Sequence, residues 1–224
     1  MVRLSGCVPR IPDCRGASDF LLGVELEGEF LIVHLEASNS ALELRANRTV
    51  DGDSLGELQL DGLIADREHI LLSGAPAGAA FEALTDALCL GHAAQLVGLM
   101  SEALRITVEY LKTRQQFGRP IGSFQALQHR AASAHIDIAA SRSLLYEACR
   151  AFGSAKQGRA AAAAGARACG AALRVTQDCV QLHGAIGFAD ECDIGLFLRR
   201  AMALAGAAGG EMHNRRRYAQ SVSG

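Results

Sequence analysis

The chain has 224 residues, of which 50% are hydrophobic and 21% charged, with a formal net charge of −2 at pH 7. That balance excludes a disordered segment, and 24 Gly without a strict period exclude collagen-like and low-complexity classes. The length allows one or two domains with enough buried apolar surface to stand without metals or disulfides.

No apolar run is expected to reach the ~18 residues of a membrane span, because Arg, Glu or His interrupts each candidate. Met1–Cys7 lacks a charged leader followed by an apolar stretch, so no secretory signal is expected. Seven scattered Cys, with no C-x-x-C, read as reduced thiols in a cytoplasmic protein. A sequence pI of about 6.4 argues against nucleic acid as a partner, and Arg215-Arg-Arg217 reads as a solvated helix face.

In chain order, Asp19–Leu26 and Glu29–Glu36 read as strands joined by a hairpin at Glu27-Gly28. Ala41–Arg48 places Leu42 and Leu44 on one face and Glu43 and Arg45 on the other. Leu55–Ala65 aligns Leu58 with Leu60 before an expected turn at Asp61-Gly62. After Ser73-Gly-Ala-Pro-Ala-Gly the period becomes helical, with a stripe of Leu84, Leu88, Gly91, Leu96, Leu99, Leu104, Val108 and Leu111 between Ala79 and Arg114. Gly118-Arg-Pro-Ile-Gly breaks that helix, and Ser123 is placed to cap the next. The second helix carries Phe124, Leu127, Ala131, Ala134, Ile138, Leu145 and Ala148, and Gly153 ends it. A third, rich in Ala and Gly, runs from about Ala155 to Leu182 and suits a bundle centre. A shorter one follows from about Asp190 to Leu204. The expected class is α+β: a small antiparallel β region over residues 1–74, then an antiparallel four-helix bundle over residues 75–224.

Two segments carry chemistry. In Tyr110-Leu-Lys-Thr-Arg-Gln-Gln-Phe-Gly-Arg-Pro-Ile-Gly-Ser-Phe-Gln, an Arg at a helix end precedes a Gly/Pro turn. A guanidinium can fork onto two phosphate oxygens while turn N–H groups add donors. The same residues also make an ordinary helix hairpin with a solvated Arg. In Gln181-Leu-His-Gly-Ala-Ile-Gly-Phe, glycines admit a close backbone or cofactor, or simply cap a helix. His129, His183 and His213 have no metal-ligand spacing and read as solvated or core histidines.

Together, in this order, the two segments resemble the Y-x-x-x-R-x-x-F-G-x-x-I-x-x-F-Q and Q-x-x-G-G-x-G-F signatures of the acyl-CoA dehydrogenase family. The resemblance extends to Gly16-Ala-Ser-Asp-Phe-Leu-Leu, similar to the stretch opening the second half of that family's β domain. It implies FAD-dependent α,β-dehydrogenation of an acyl-CoA thioester, with a carboxylate as base beside a polarised thioester. It further implies that Arg114, Gln116, Phe117, Gln125, Gln181, Gly184 and Ala185 serve the adenosine and pyrophosphate half of a flavin held mainly by another subunit. Ala185 replaces the usual second Gly. Ala208 and Leu88 occupy the family's two base positions, and neither takes a proton. Asp86 and Glu211 are the nearest carboxylates. The reading is therefore one subunit of a homo- or hetero-oligomeric acyl-CoA dehydrogenase, of the kind found in bacterial steroid or lipid catabolism, its base supplied by a full-length partner. The rival reading is a non-catalytic scaffold that keeps the bundle for oligomerisation.

Overall fold

The computed structural model describes residues 2–12, 14–207 and 209–223. The chain divides into two compact units, Met1–Thr85 and Asp86–Gly224.

In the first unit, β1 (Val2–Pro12), β5 (Ser54–Ala65) and β4 (Leu42–Arg48) form one antiparallel sheet in the order β1-β5-β4. Strands β2 (Asp19–Leu26), β3 (Glu29–Glu36) and β6 (Ile70–Ser73) form a second, in the order β2-β3-β6. Leu4, Leu58 and Leu63 of one sheet and Phe20, Val33 and Leu35 of the other share a single core, so the sheets pack face to face. The β2–β3 hairpin turns at Glu27-Gly28 with φ of 51° and 84°, the left-handed pair that a two-residue loop needs.

Asp61-Gly62 is not a turn. The strand runs through it as a bulge, because two residues lie between Leu60 and Leu63 where only Ser5 lies opposite. Gly62 supplies the φ of +63° there, and its N–H donates to Ser5 Oγ at 3.1 Å. The extra residue reverses the parity of burial: Leu58 and Leu60 face inward before it, Leu63 and Ala65 after it. Strands β1 and β6 are additions to the sequence reading.

Helix α1 (Gly74–Thr113) begins five residues earlier than its stripe predicts. An 18-residue window of it is apolar enough to cross a membrane by length and composition, which the charge interruptions had argued against. Its Leu96, Met100 and Ala103 are wholly buried in the helical core rather than left for lipid. Of the predicted stripe, Leu96, Leu104 and Leu111 are buried, whereas Leu84 and Leu88 are exposed.

A two-residue hairpin follows, β7 (Gln115–Gln116) with β8 (Arg119–Pro120). Helix α2 (Gln125–Ala151) then starts at Phe124 without a side-chain cap, since Ser123 Oγ donates backward to Pro120 O at 2.7 Å. Helix α3 (Gln157–His183) is the bundle centre, and α4 (Ile194–Ala207) replaces the expected Asp190–Leu204 helix. A fifth helix, α5 (Gly210–Ser223), completes the unit; the sequence reading had a helix face at Arg215–Arg217 but counted only four helices.

The side-chain pairs fix the directions. Arg130 meets Asp178 and Arg167 meets Asp137, so α2 runs antiparallel to α3. Arg159 meets Tyr218 and Gly170 faces Glu211, so α5 is antiparallel to α3 as well. Asp86 meets Gln157 while Tyr110 meets His183, so α1 runs with α3. Glycines on α3 make these approaches possible: a Cβ on Gly165 would strike Cys89 Sγ, and one on Gly170 would strike the Glu211 carboxylate.

Candidate functional site: a groove at the ends of two helices

Both signature segments meet at one end of the helical unit. Arg114 and Gln116, just past the C-terminus of α1, line a groove of about 330 Å³ together with Gln181, Gly184 and Ala185 at the C-terminus of α3. Arg130 of α2 closes another side and is held 3.7 Å from Asp178. Two local features shape this end. Arg114 N–H donates to Tyr110 O and Arg114 O accepts from Ile121 N–H, so the hairpin returns directly onto the helix end. On the other side Gly184, at φ 68° and ψ −145°, turns the chain out of α3 into the 3₁₀ turn Gly184–Phe188. Gly187 then approaches Val180 O so closely that a Cβ would stand 2.6 Å from it.

Tyr110 and His183 join the two helix ends by a ring stack. His183 is buried, and its Nδ1 lies 2.8 Å from Cys179 O, which makes that nitrogen the N–H donor. Among the described residues the Arg114 side chain has no ion pair or hydrogen bond, so its guanidinium is available to an anion.

Five of the seven residues assigned to the cofactor thus come together here. Phe117 and Gln125 do not line the groove. Phe117 is 89% exposed at the hairpin tip, with φ 55° followed by 76° at Gly118. Its ring meets Phe124 edge-on at 6.0 Å, and Arg119 lies over Phe124 at 4.2 Å. Gln125 is the first residue of α2 and is exposed. The sequence reading missed Tyr110 and His183 as organisers of the groove, although Tyr110 opens the first signature.

The base candidates fare differently. Leu88 is 53% exposed and apolar. Ala208 lies outside the described residues. Asp86 is buried, with Oδ1 accepting from Arg217 and Oδ2 accepting from Gln157 Nε2 at 3.3 Å. A carboxylate so engaged is a structural ion pair, not a free proton acceptor. Arg217 is correspondingly no solvated residue, in contrast to the reading of the basic run. Glu211 is half-buried and pairs with Arg215 at 2.5 Å.

Residues 81–223 match the acyl-CoA dehydrogenase C-terminal domain, and the chain belongs to the acyl-CoA dehydrogenase family. It is 38% identical over 141 residues to the acyl-CoA dehydrogenase IpdE2 of Mycolicibacterium smegmatis, covering 63% of this chain and 44% of that one. It superposes on a chain of the ChsE4-ChsE5 complex from Mycobacterium tuberculosis with a TM-score of 0.90 and 28% identity, over 99% of this chain and 60% of that one. The Tcur3481-Tcur3483 steroid ACAD G363A variant gives a TM-score of 0.85 and 30% identity, with 99% and 59% covered. The chain therefore spans about half the length of such relatives.

Proposed function

We propose that the chain is one subunit of a heteromeric, FAD-dependent acyl-CoA dehydrogenase and holds the adenosine and diphosphate half of the flavin in trans. The observation that carries this reading is the unpaired Arg114 guanidinium on a groove built by both signature segments. Arg114 fits a diphosphate as a bidentate donor. Gln116 and Gln181 offer amide donors and acceptors beside it, and the Gly184-Ala185 backbone leaves room for a sugar or base. The exposed Phe117 supplies an aromatic face, and Gln125 a third amide nearby in sequence. FAD, when bound, supplies the hydride acceptor. The groove thus suits the nucleotide half of the cofactor. The α-proton of an acyl-CoA substrate needs a base in a dry site, and Leu88, the paired Asp86 and the paired Glu211 do not provide one. In this reading a partner subunit supplies the base.

Relatives solved as the ChsE4-ChsE5 complex and as a steroid ACAD support a two-chain assembly and a steroid or lipid acyl group. A cytoplasmic location belongs to the same reading. The test is co-expression with a full-length acyl-CoA dehydrogenase partner, followed by visible absorbance of the purified complex. Bound flavin that is lost in Arg114→Ala supports the proposal. A complex without flavin, or one whose flavin content ignores Arg114→Ala, overturns it. In the latter case the scaffold reading stands, which the apolar residue at Leu88 favours.

A further inference from the structure

Away from the groove, α2 and α5 both pack on α3 and scarcely touch each other. Because each is antiparallel to α3, they run parallel and leave a trough between them. Its floor is Ala160, Ala163, Ala166 and Gly170, spaced three or four apart on one face of α3. Leu144 of α2 and Tyr218 of α5 form the walls. Two hollows, of about 780 and 330 Å³, share Leu144, Ala163 and Tyr218 and so are continuous. The open floor from residue 160 to residue 166 is about 9 Å long, close to two helical turns. The methyls of Ala160, Ala163 and Ala166 let another helix approach at the short end of the usual 8–10 Å range, while Gly170 already lies under the Glu211 carboxylate.

The rim is basic. Arg150, Lys156 and Arg159 stand at one end, Arg174 and Arg215 at the other, against Glu147 and Glu211. Some of these charges are already engaged: Arg174 shares Asp137, Arg215 pairs with Glu211, and Arg159 lies over Tyr218. Among the described residues, the side chains of Arg150 and Lys156 have no partner. The whole Asp86–Gly224 unit carries sixteen Lys and Arg against ten Asp and Glu, whereas Met1–Thr85 carries six against fourteen.

We propose that this trough docks an acidic amphipathic helix of a partner polypeptide. The concave, apolar floor between two helical walls fits a helix better than the flat surface of a membrane. A polynucleotide would have no use for the methyl floor. Helices α2 to α5 each carry more Arg and Lys than Asp and Glu, so a second copy of these helices is not the complementary surface. Unpaired rim cations raise the encounter rate and fix orientation, and the small floor supplies the close packing. The proposal does not depend on the flavin reading.

The probe is a fluorescent helical peptide of about four turns, with Ala and Leu on one face and Glu on both flanks. The full chain should bind it, and should lose at least tenfold in affinity on Ala163→Leu or on the pair Arg150→Glu and Lys156→Glu. A peptide with Lys in place of Glu should not bind. Circular dichroism checks folding, and the charge reversal at two exposed positions keeps the test alive should Ala163→Leu unfold. No binding, or binding unchanged in these variants, overturns the proposal. So does binding of phosphatidylglycerol vesicles or an oligonucleotide, lost in the same variants, without peptide binding.

Discussion

Tyr110 lies stacked on His183, ring centroids 4.4 Å apart and planes 19° from parallel, and its hydroxyl donates to His183 O at 3.3 Å. This one residue joins the helix end that carries Arg114 to the helix end that carries Gln181. A stack is worth ~1 kcal/mol beyond burial and a neutral hydrogen bond ~1 kcal/mol. Tyr110→Ala should therefore cost about 2 kcal/mol in urea unfolding, and Tyr110→Phe under about 1 kcal/mol. In the assembled complex flavin affinity should follow the same order, since the groove walls are then no longer held together. Equal affinity in all three proteins would show that the stack serves folding alone.

The Asp86–Arg217 pair joins the start of the bundle to its last helix. Removing one partner strands a buried charge, at about 3–5 kcal/mol, whereas replacing both with apolar residues is close to neutral. Arg217→Met should thus destabilise strongly, and Asp86→Leu with Arg217→Met should recover most of the loss. Denaturant midpoints of the two variants and the parent decide this. If turnover of the complex survives in the double variant, Asp86 is not its base.

Gly165 is a tight approach between α3 and its neighbours: a Cβ there would stand 2.3 Å from Cys89 Sγ and 3.2 Å from Asn214 Cγ. Gly165→Ala should cost about 1–3 kcal/mol through overpacking. In a Cys89→Ala background the penalty should shrink, because the sulfur is gone while Asn214 remains. A double-mutant cycle measures that coupling.

Strong periodicity made α1, α2 and α3 legible, as did the Glu27-Gly28 hairpin, where two residues must take positive φ. What was lost has physical causes. Asp61-Gly62 looks like a turn because the same dipeptide suits a bulge, and only the partner strand distinguishes them. Helix α5 is mostly polar, and its buried side of Asn214 and Arg217 is not apolar, so no stripe announced it. The groove residues were readable through the family signatures. Their convergence was not, since it depends on α1 and α3 ending together.

Burial pushes the Cys169 thiol up to about 12, helped by neighbouring Cys89 and Glu211, and the Cys179 thiol up to about 11. Both values lie above those of the unfolded chain, so the folded state keeps protons that the unfolded state releases. The resulting stability is whole below about pH 9 and is lost as pH rises toward 11–12. Each thiol should add a slope of at most about 1.4 kcal/mol per pH unit in that window. Urea titrations at rising pH should show the fall, and Cys169→Ala with Cys179→Ala should flatten it. Iodoacetamide at pH 8 should label exposed Cys7 and Cys149 while sparing these two.

Phe117 is held in the left-handed region, where a bulky side chain costs about 1–2 kcal/mol, and it is offered to solvent rather than to the core. Phe117→Asn removes that strain, because Asn tolerates the conformation, and sacrifices only the edge contact with Phe124. The isolated chain should change by less than about 1 kcal/mol, against the 3–5 kcal/mol expected for deleting a core Phe. If the exposed ring serves the flavin or the partner subunit, the same variant should assemble poorly or lose flavin. Thermal unfolding of the isolated chain, set beside flavin content of the complex, separates the two roles. A large loss of stability without any loss of flavin would assign Phe117 to folding instead.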